Sequence, residues 1–301
     1  MTKMRLCIVG GGSPYMTSMF STLARLARVG ELAHSEIVLY DIDEKHAHMM
    51  CDWGNAGAKN DQVPLKFSFE GNIAKALDGA DFVLSCIRPG GLDARYKDET
   101  IPVKYGEVGN ETVGVGGVFY ALRCIPVAKS IAENVRKYAP NAWLVNYTNP
   151  TGMVCDVSLR AGHDKVIGLC DAVWGIKWLC AKLLKIGVPR ACEIEPFIAG
   201  LNHFTWSVKL MHQGRDLYPV MDRLIEETDL SGKAGYETID NNDELNEVEA
   251  DVCRLYKKFG LLPGAVYYTR EYYNIKKMLT HHMDPKWEFR AHWLNDIKTE
   301  K

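Results

Sequence analysis

The sequence predicts an α/β protein: a Rossmann-type doubly wound parallel sheet over residues 1–170, followed by an α+β domain over residues 171–301. Two observations carry this expectation. Short apolar runs of strand length alternate with helix-length segments through the first 170 residues, the pattern of a parallel sheet covered on both faces. The first run, Arg5–Val9 (RLCIV), passes directly into Gly10-Gly11-Gly12-Ser13 and then a helical stretch, which is the setting of a dinucleotide-binding turn.

In chain order, the helical stretch after the glycines runs to about Val29, and Glu36–Tyr40 is the next strand, ending in Asp41-Ile42-Asp43. Leu65–Phe69 and Asp81–Ile87 read as strands, with a short helix around Ile73–Leu77 between them. From Gly116 to Tyr138 the apolar residues Phe119, Leu122, Ile125, Val127, Ile131 and Val135 recur at spacings near three and four, among Arg123, Lys129, Glu133 and Lys137. That spacing predicts an amphipathic helix. Ala142–Tyr147 and Val166–Leu169 complete the parallel set. Beyond about residue 195 the strands lengthen, with Gln213-Gly214 as a hairpin turn inside Ser207–Tyr218. Thr228–Asp251, rich in acidic residues, Asn and Gly, reads as a surface excursion before a helix at Val252–Phe259.

A net charge of −2 offers no extended basic field, which excludes nucleic acid as an expected partner. No apolar run approaches the roughly 20 residues of a bilayer span, and Met1-Thr2-Lys3-Met4 leads straight into a strand. A cytoplasmic protein without membrane partners is therefore expected. The nine cysteines are odd in number and scattered through apolar segments, as reduced core thiols are.

In a doubly wound sheet, ligands bind beyond the carboxyl ends of the strands. Gly10, Gly12 and Ser13 lie there, where small residues admit a pyrophosphate to the backbone and the helix start supplies amide donors. The place of the third fingerprint glycine is Tyr15. Asp41, at the end of the second strand, suits the ribose hydroxyls of NAD. Arg88 and Arg95 share the loop after the fourth strand, and their planar forks suit phosphate or carboxylate, whether of cofactor or substrate. Asn149, before Pro150, can donate and accept toward ligand hydroxyls. Cys170 and Asp171 follow one apolar run, and Asn202-His203 ends another. Cys170 with His203 would make an incomplete metal site, as catalytic sites are, without choosing among Mn, Fe, Co, Ni and Zn. Tyr267, Tyr268, Tyr272 and Tyr273 follow a turn at Pro263-Gly264. Such a cluster is ordinarily packing, but a tyrosine near a cation can serve as a base.

The segments IVGGGS, LYDID, IRPGGLDAR, GNETVGVGGVFYALRCIPV, NYTNPTG, IGLCD and GLNHFTW, in this order, resemble glycoside hydrolase family 4. These are NAD- and metal-dependent glycosidases acting on 6-phospho-α- and β-glucosides, α-glucosides, α-galactosides and α-galacturonides. The resemblance implies oxidation at sugar C3 by NAD, proton removal at C2, elimination of the aglycone, addition of water and return of the hydride, a route outside the usual two-carboxylate scheme. It implies Cys170 and His203 as ligands of a divalent metal, with manganese expected, and Asn149 and Glu111 as substrate residues. Arg95 and Arg290 resemble the arginines that reach the sugar's phosphate. Asp171 stands where α-specific members carry an acid for the leaving group, and Tyr268 or Tyr267 fits the family's base. An α-linked 6-phosphoglucoside is thus the favoured substrate, although Ala172-Val173-Trp174 differs from the usual continuation. A homodimer or homotetramer is also implied, with a second domain shorter than the family's.

Two other readings stay open on the sequence. One is an NAD-dependent hydroxyacid dehydrogenase of the lactate and malate type, whose fold shares the Asn-Pro after the fifth strand. The other is a catalytically silent nucleotide-binding protein.

Overall fold

The computed structural model describes residues 3–32, 34–107, 109–231 and 245–264. The chain divides into two compact units, one of residues 1–97 and 117–169, the other of 98–116 and 170–301. The segment 98–116 thus joins the second unit, whereas the sequence predicts a contiguous division at residue 170.

The first unit is a six-stranded parallel sheet built from β1 (Arg5–Val9), β2 (Glu36–Tyr40), β3 (Lys66–Phe69), β4 (Phe82–Ser85), β5 (Trp143–Asn146) and β6 (Val166–Gly168). Their spatial order is 3-2-1-4-5-6, so the winding reverses between β1 and β4, the position where doubly wound sheets bind ligands. Side chains alternate across the pleat. Leu6 and Ile8 of β1 join Ile37, Leu39 and Leu84 on one face, packed with Met16, Phe20, Leu23, Ala24 and Ala27 of α1 (Met16–Arg28). Cys7 and Val9 point the other way, to Val38, Val83 and Leu144, with Ile131, Ala132 and Val135 of α5 (Gly114–Tyr138). The continuous apolar runs of β1, β2 and β4 follow from this double burial. Between these lie α2 (Glu44–Asn60), α3 (Ile73–Leu77) and α4 (Gly91–Thr100), and α6 (Thr151–Arg160) links β5 to β6.

The expected absence of a long apolar run has one exception. α5 has 25 residues and a window of mean hydropathy 1.3, enough by length and composition for a membrane span. Its Tyr120, Ala121, Cys124, Ala128, Ile131, Ala132 and Val135 are buried, so much of this apolarity serves the core of the first unit.

The second unit contains α7 (Ala172–Leu183), β7 (Ile194–Leu201), β8 (Phe204–His212), β9 (Arg215–Asp216), α8 (Tyr218–Glu227), α9 (Glu247–Phe259) and β10 (Leu262–Pro263). The sheet order is β10-β8-β7, with β9 paired to β8. Ile194 and Leu210 bury with Ile176, Leu179, Met221, Ile225, Val252 and Tyr256 from the three helices. Gln213 and Gly214 both have positive φ, 50° and 75°, as a two-residue hairpin turn of type I′ requires. All nine cysteines are free thiols.

The surface excursion expected at Thr228–Asp251 needs correction at its end, because α9 begins at Glu247. Asn246 Oδ1 accepts from the Glu249 amide at 2.8 Å, and Glu249 Oε2 accepts from the Asn246 amide at 2.9 Å. This capping box satisfies two amides that a helix start otherwise leaves bare. Asn246→Ala should cost about 1 kcal/mol, a fall of about 2–4 °C in melting temperature, read by circular dichroism. An unchanged midpoint would show that burial of Val248 and Val252 alone holds the helix start.

Candidate active site

At the end of β1 the chain turns where a side chain has no room. Gly10 has φ +91°, and a Cβ there would stand 2.0 Å from the Cys86 carbonyl oxygen. At Gly11 it would be 2.8 Å from Leu39 Cβ, and at Gly12 3.0 Å from Asp41 Oδ2. The glycines are therefore set by the packing of β1's exit against neighbouring strands. Their amides also point inward: Gly10 and Gly11 donate to the Tyr40 oxygen at 2.9 and 3.1 Å, and Gly12 donates to Asp41 Oδ2 at 2.8 Å.

This corrects the expected division of labour. The amides of Ser13, Tyr15, Met16 and Thr17 all have partners in the turn itself. The glycines shape the turn, and the half-buried Ser13 lies before the positive end of α1. Asp41 is part of the turn too, since its Oδ1 accepts from the Asp43 amide at 3.0 Å. It remains half-buried, and each carboxylate oxygen has a further lone pair for a ribose hydroxyl. Sheet order, turn and acidic residue together fit a dinucleotide.

Beyond β4, the guanidinium of Arg88 lies 5.4 Å from the ring centroid of Tyr120, and that of Arg123 lies 5.6 Å from the same ring. Arg123 Nε donates to the Pro89 oxygen at 3.3 Å. Two cations on one buried aromatic ring place concentrated positive charge at this strand end, suited to an anion. The sequence reading misses Arg123, which sits among helical charges and looks like a solvated position. Beyond β5, the Asn149–Pro150 peptide is cis. Asn149 Oδ1 accepts from the Thr151 hydroxyl at 3.1 Å, which leaves the amide NH2 as its donor end. Arg95 is half-buried on α4.

In the second unit, Cys170 Sγ stands 3.2 Å from His203 Nε2. His203 occupies the tip of the β7–β8 hairpin, where Leu201 pairs with Phe204 and only two residues make the turn. It has φ +63°, a left-handed conformation that is costly for a residue carrying a Cβ. Gly200, at φ +125°, admits the approach of Phe204, since a Cβ would meet that residue's oxygen at 2.5 Å. The hairpin thus holds the imidazole in a strained position, as functional sites often do. His203 is buried, which lowers its pKa and keeps it neutral, while the charges of Asp171 and Glu111 act in the opposite direction. Asp171 begins α7 and makes no side-chain cap, so its carboxylate is not committed to the helix amides.

A sulfur and a neutral imidazole nitrogen side by side are both donors that a divalent ion would accept. Asn202 Oδ1 is buried without a hydrogen-bond donor among the described residues, a further oxygen suited to a cation or a ligand hydroxyl. No cluster of three His, Cys, Asp or Glu that could hold an ion forms among the described residues. The residues fit a divalent ion. The structure therefore brings Cys170 and His203 together, with the charges of Asp171 and Glu111 reaching that imidazole, while Gly10, Gly12, Ser13, Asp41, Arg88 and Asn149 line the strand ends of the other unit. Tyr267, Tyr268 and Arg290 lie outside the described residues.

Fold and site define a class: a dinucleotide-type sheet joined to a unit with a cysteine–histidine pair. The model of the family 4 glycosyl hydrolases matches residues 5–186, and that of their C-terminal domain matches residues 198–300. The chain belongs to this family. A probable 6-phospho-beta-glucosidase of Bacillus subtilis is 36% identical over 288 residues, which cover 94% of this chain and 62% of that protein. An alpha-galacturonidase of Lachnoclostridium phytofermentans is 32% identical over 279 residues, 88% of this chain and 58% of that protein. Among solved structures, a 6-phospho-alpha-glucosidase from gut microorganisms in complex with NAD and Mn2+ superposes with a TM-score of 0.79 at 28% identity, covering 93% of this chain and 62% of that one. The chain thus spans about three fifths of the length of these relatives.

Proposed function

We propose that the protein is an NAD- and manganese-dependent glycosidase acting on a 6-phosphoglucoside, with an α-linkage favoured. The observation that carries the reading is the Cys170–His203 pair at 3.2 Å, with the charges of Asp171 and Glu111 acting on the same imidazole. When bound, NAD supplies a hydride acceptor for sugar C3, and the ion supplies Lewis acidity at the C2 and C3 oxygens. The chain's own groups do the rest. Cys170 and His203 hold the ion, and Asn149 and Glu111 orient the sugar hydroxyls. Arg95 and Arg290 take the 6-phosphate, Asp171 protonates the departing glycosidic oxygen, and Tyr268 or Tyr267 takes the C2 proton.

The α preference rests on Asp171, an acid not engaged in capping α7. A doubly charged sugar phosphate does not cross a bilayer unaided, so the reading places the reaction in the cytoplasm, with a homodimer or homotetramer as the assembly. A hydroxyacid dehydrogenase on the same sheet would accumulate NADH, whereas this route returns its hydride.

Turnover of p-nitrophenyl α-glucoside 6-phosphate in D2O, with NAD+, Mn2+ and a thiol reductant, should release nitrophenol and place deuterium at C2. Both should be lost when either cofactor is omitted. Release without C2 deuteration would overturn the elimination route. Release only from the β-anomer or from an unphosphorylated galacturonide would move the substrate assignment and leave the route standing. NAD binding with no turnover on any of them would favour the silent reading.

A further inference from the structure

Tyr15 stands where a dinucleotide turn ordinarily carries its third glycine, and its backbone shows why no glycine is needed. Just before α1 it has φ −57° and ψ −23°, an ordinary helical conformation open to any side chain. Its side chain is 63% exposed, so packing gives the ring little to do in the fold. The ring nevertheless leans on one neighbour, Tyr147, with centroids 6.2 Å apart and planes tilted by 51°, so neither closes over the other in a stack. Tyr147 directly follows β5. Its amide donates to the Ser85 oxygen at 2.9 Å, and its side chain packs on the core shared by the sheet and α1.

The pair fixes a direction across the strand ends. In the order 3-2-1-4-5-6, Asp41 follows β2 on one side of β1, whereas Tyr147 follows β5 on the other, with β4 between. Three strand spacings, about 14 Å, separate β2 from β5, a span that one extended dinucleotide covers. A dinucleotide with its adenosine ribose at Asp41 and its pyrophosphate before α1 therefore carries its nicotinamide toward Tyr15 and Tyr147. We infer that Tyr15, backed by Tyr147, is a cofactor-binding residue on whose ring the nicotinamide of NAD+ stacks. The oxidised nicotinamide is a planar cation, which the negative face of an aromatic ring attracts. Reduction removes that charge, so the contact holds NAD+ more tightly than NADH and favours the return of the hydride that ends the route. The assignment rests on the NAD-dependent reading above and adds to it the residue that meets the reacting end of the cofactor.

The test titrates NAD+, NADH and ADP-ribose, which lacks the nicotinamide, into the full chain by calorimetry, as wild type, Tyr15→Leu and Tyr15→Phe. Tyr15→Leu should bind NAD+ about 5- to 30-fold more weakly, the loss of one cation–π contact. NADH should weaken by no more than about 2-fold, because leucine keeps the dispersion contact, and ADP-ribose should bind as it does to wild type. Tyr15→Phe keeps the ring and should match wild type for all three. Melting without cofactor should move by less than about 2 °C in either variant, as is usual for exposed side chains. Wild-type NAD+ affinity in Tyr15→Leu overturns the assignment. So does an equal loss of NAD+ and ADP-ribose, since the side chain would then act on the turn or the pyrophosphate. An equal loss of NAD+ and NADH overturns the cation stack, and a large fall in melting temperature would make the ring structural and overturn it too. A wild-type protein that binds neither NAD+ nor ADP-ribose overturns the dinucleotide reading, and the Tyr15 assignment falls with it.

Discussion

Replacing Cys170 by Ser should abolish manganese-dependent turnover while leaving NAD+ affinity within about twofold. In the proposed site the Cys170 sulfur is one of two protein groups that would hold the ion, 3.2 Å from His203 Nε2. A serine hydroxyl of nearly the same size stays protonated near neutral pH and is a far poorer ligand. Loss of even a hydrogen-bond partner behind a metal ligand commonly costs 10- to 100-fold in metal affinity, so loss of this ligand should exceed about 100-fold. If the ion's Lewis acidity is worth about 4 kcal/mol at the reacting oxygens, turnover falls by about 10³. Electron paramagnetic resonance of titrated Mn2+ reads the metal without any reaction, and fluorescence titration reads NAD+. Retained Mn2+ affinity in Cys170→Ser would remove the thiolate from the metal site, whatever happened to turnover.

Gly10→Ala should lower the melting temperature by about 4–20 °C, or prevent accumulation of folded protein. Two costs combine at this position. An alanine at φ +91° is strained by about 1–2 kcal/mol. Its methyl would also stand 2.0 Å from the Cys86 oxygen and 2.7 Å from the carbonyl carbon, both backbone atoms at the end of β4 that cannot step aside cheaply. Overpacking of this kind adds about 1–3 kcal/mol, and each kcal/mol shifts the midpoint by about 2–4 °C for a unit of this size. Gly30→Ala supplies the control, because Gly30 has φ +84° but nothing within 4 Å of an added Cβ. It should show the backbone strain alone. Equal midpoints for the two variants would mean that the β1–β4 approach relaxes freely, against the packing account of the glycine turn. NAD+ binding should fail in Gly10→Ala with the loss of the turn and persist in Gly30→Ala.

Residues whose meaning is local are legible in the sequence. β1, β2 and α3 fall within the expected bounds, because double burial makes a continuous apolar run and a glycine turn follows the first of them directly. α2 escapes the periodicity: His46, His48, Asp52 and Asn55 interrupt its apolar positions, and its packing face is partly small, with Ala47, Gly54 and Ala58 buried. The start of α9 is misplaced by sequence reasoning because Asn246 and Glu249 read as polar loop residues until their reciprocal hydrogen bonds make them a cap. Arg123 looks like one more helical charge until the ring of Tyr120 places it beside Arg88.

The sequence by itself determined the doubly wound unit, the acidic residue after its second strand and the family, since these depend on periodicity and contiguous motifs. It also named Cys170 and His203, each at the end of an apolar run. Only the tertiary structure decided that the two, 33 positions apart, stand 3.2 Å from each other, with Asp171 and Glu111 acting on the same imidazole. It alone showed that the glycine amides turn inward to Tyr40 and Asp41. The physical reason is that side-chain periodicity reports which face of an element is buried, whereas a site depends on where the ends of separate elements meet. That meeting is set by sheet order, hairpin register and the strained backbone at His203, none of which leaves a periodic trace in the chain.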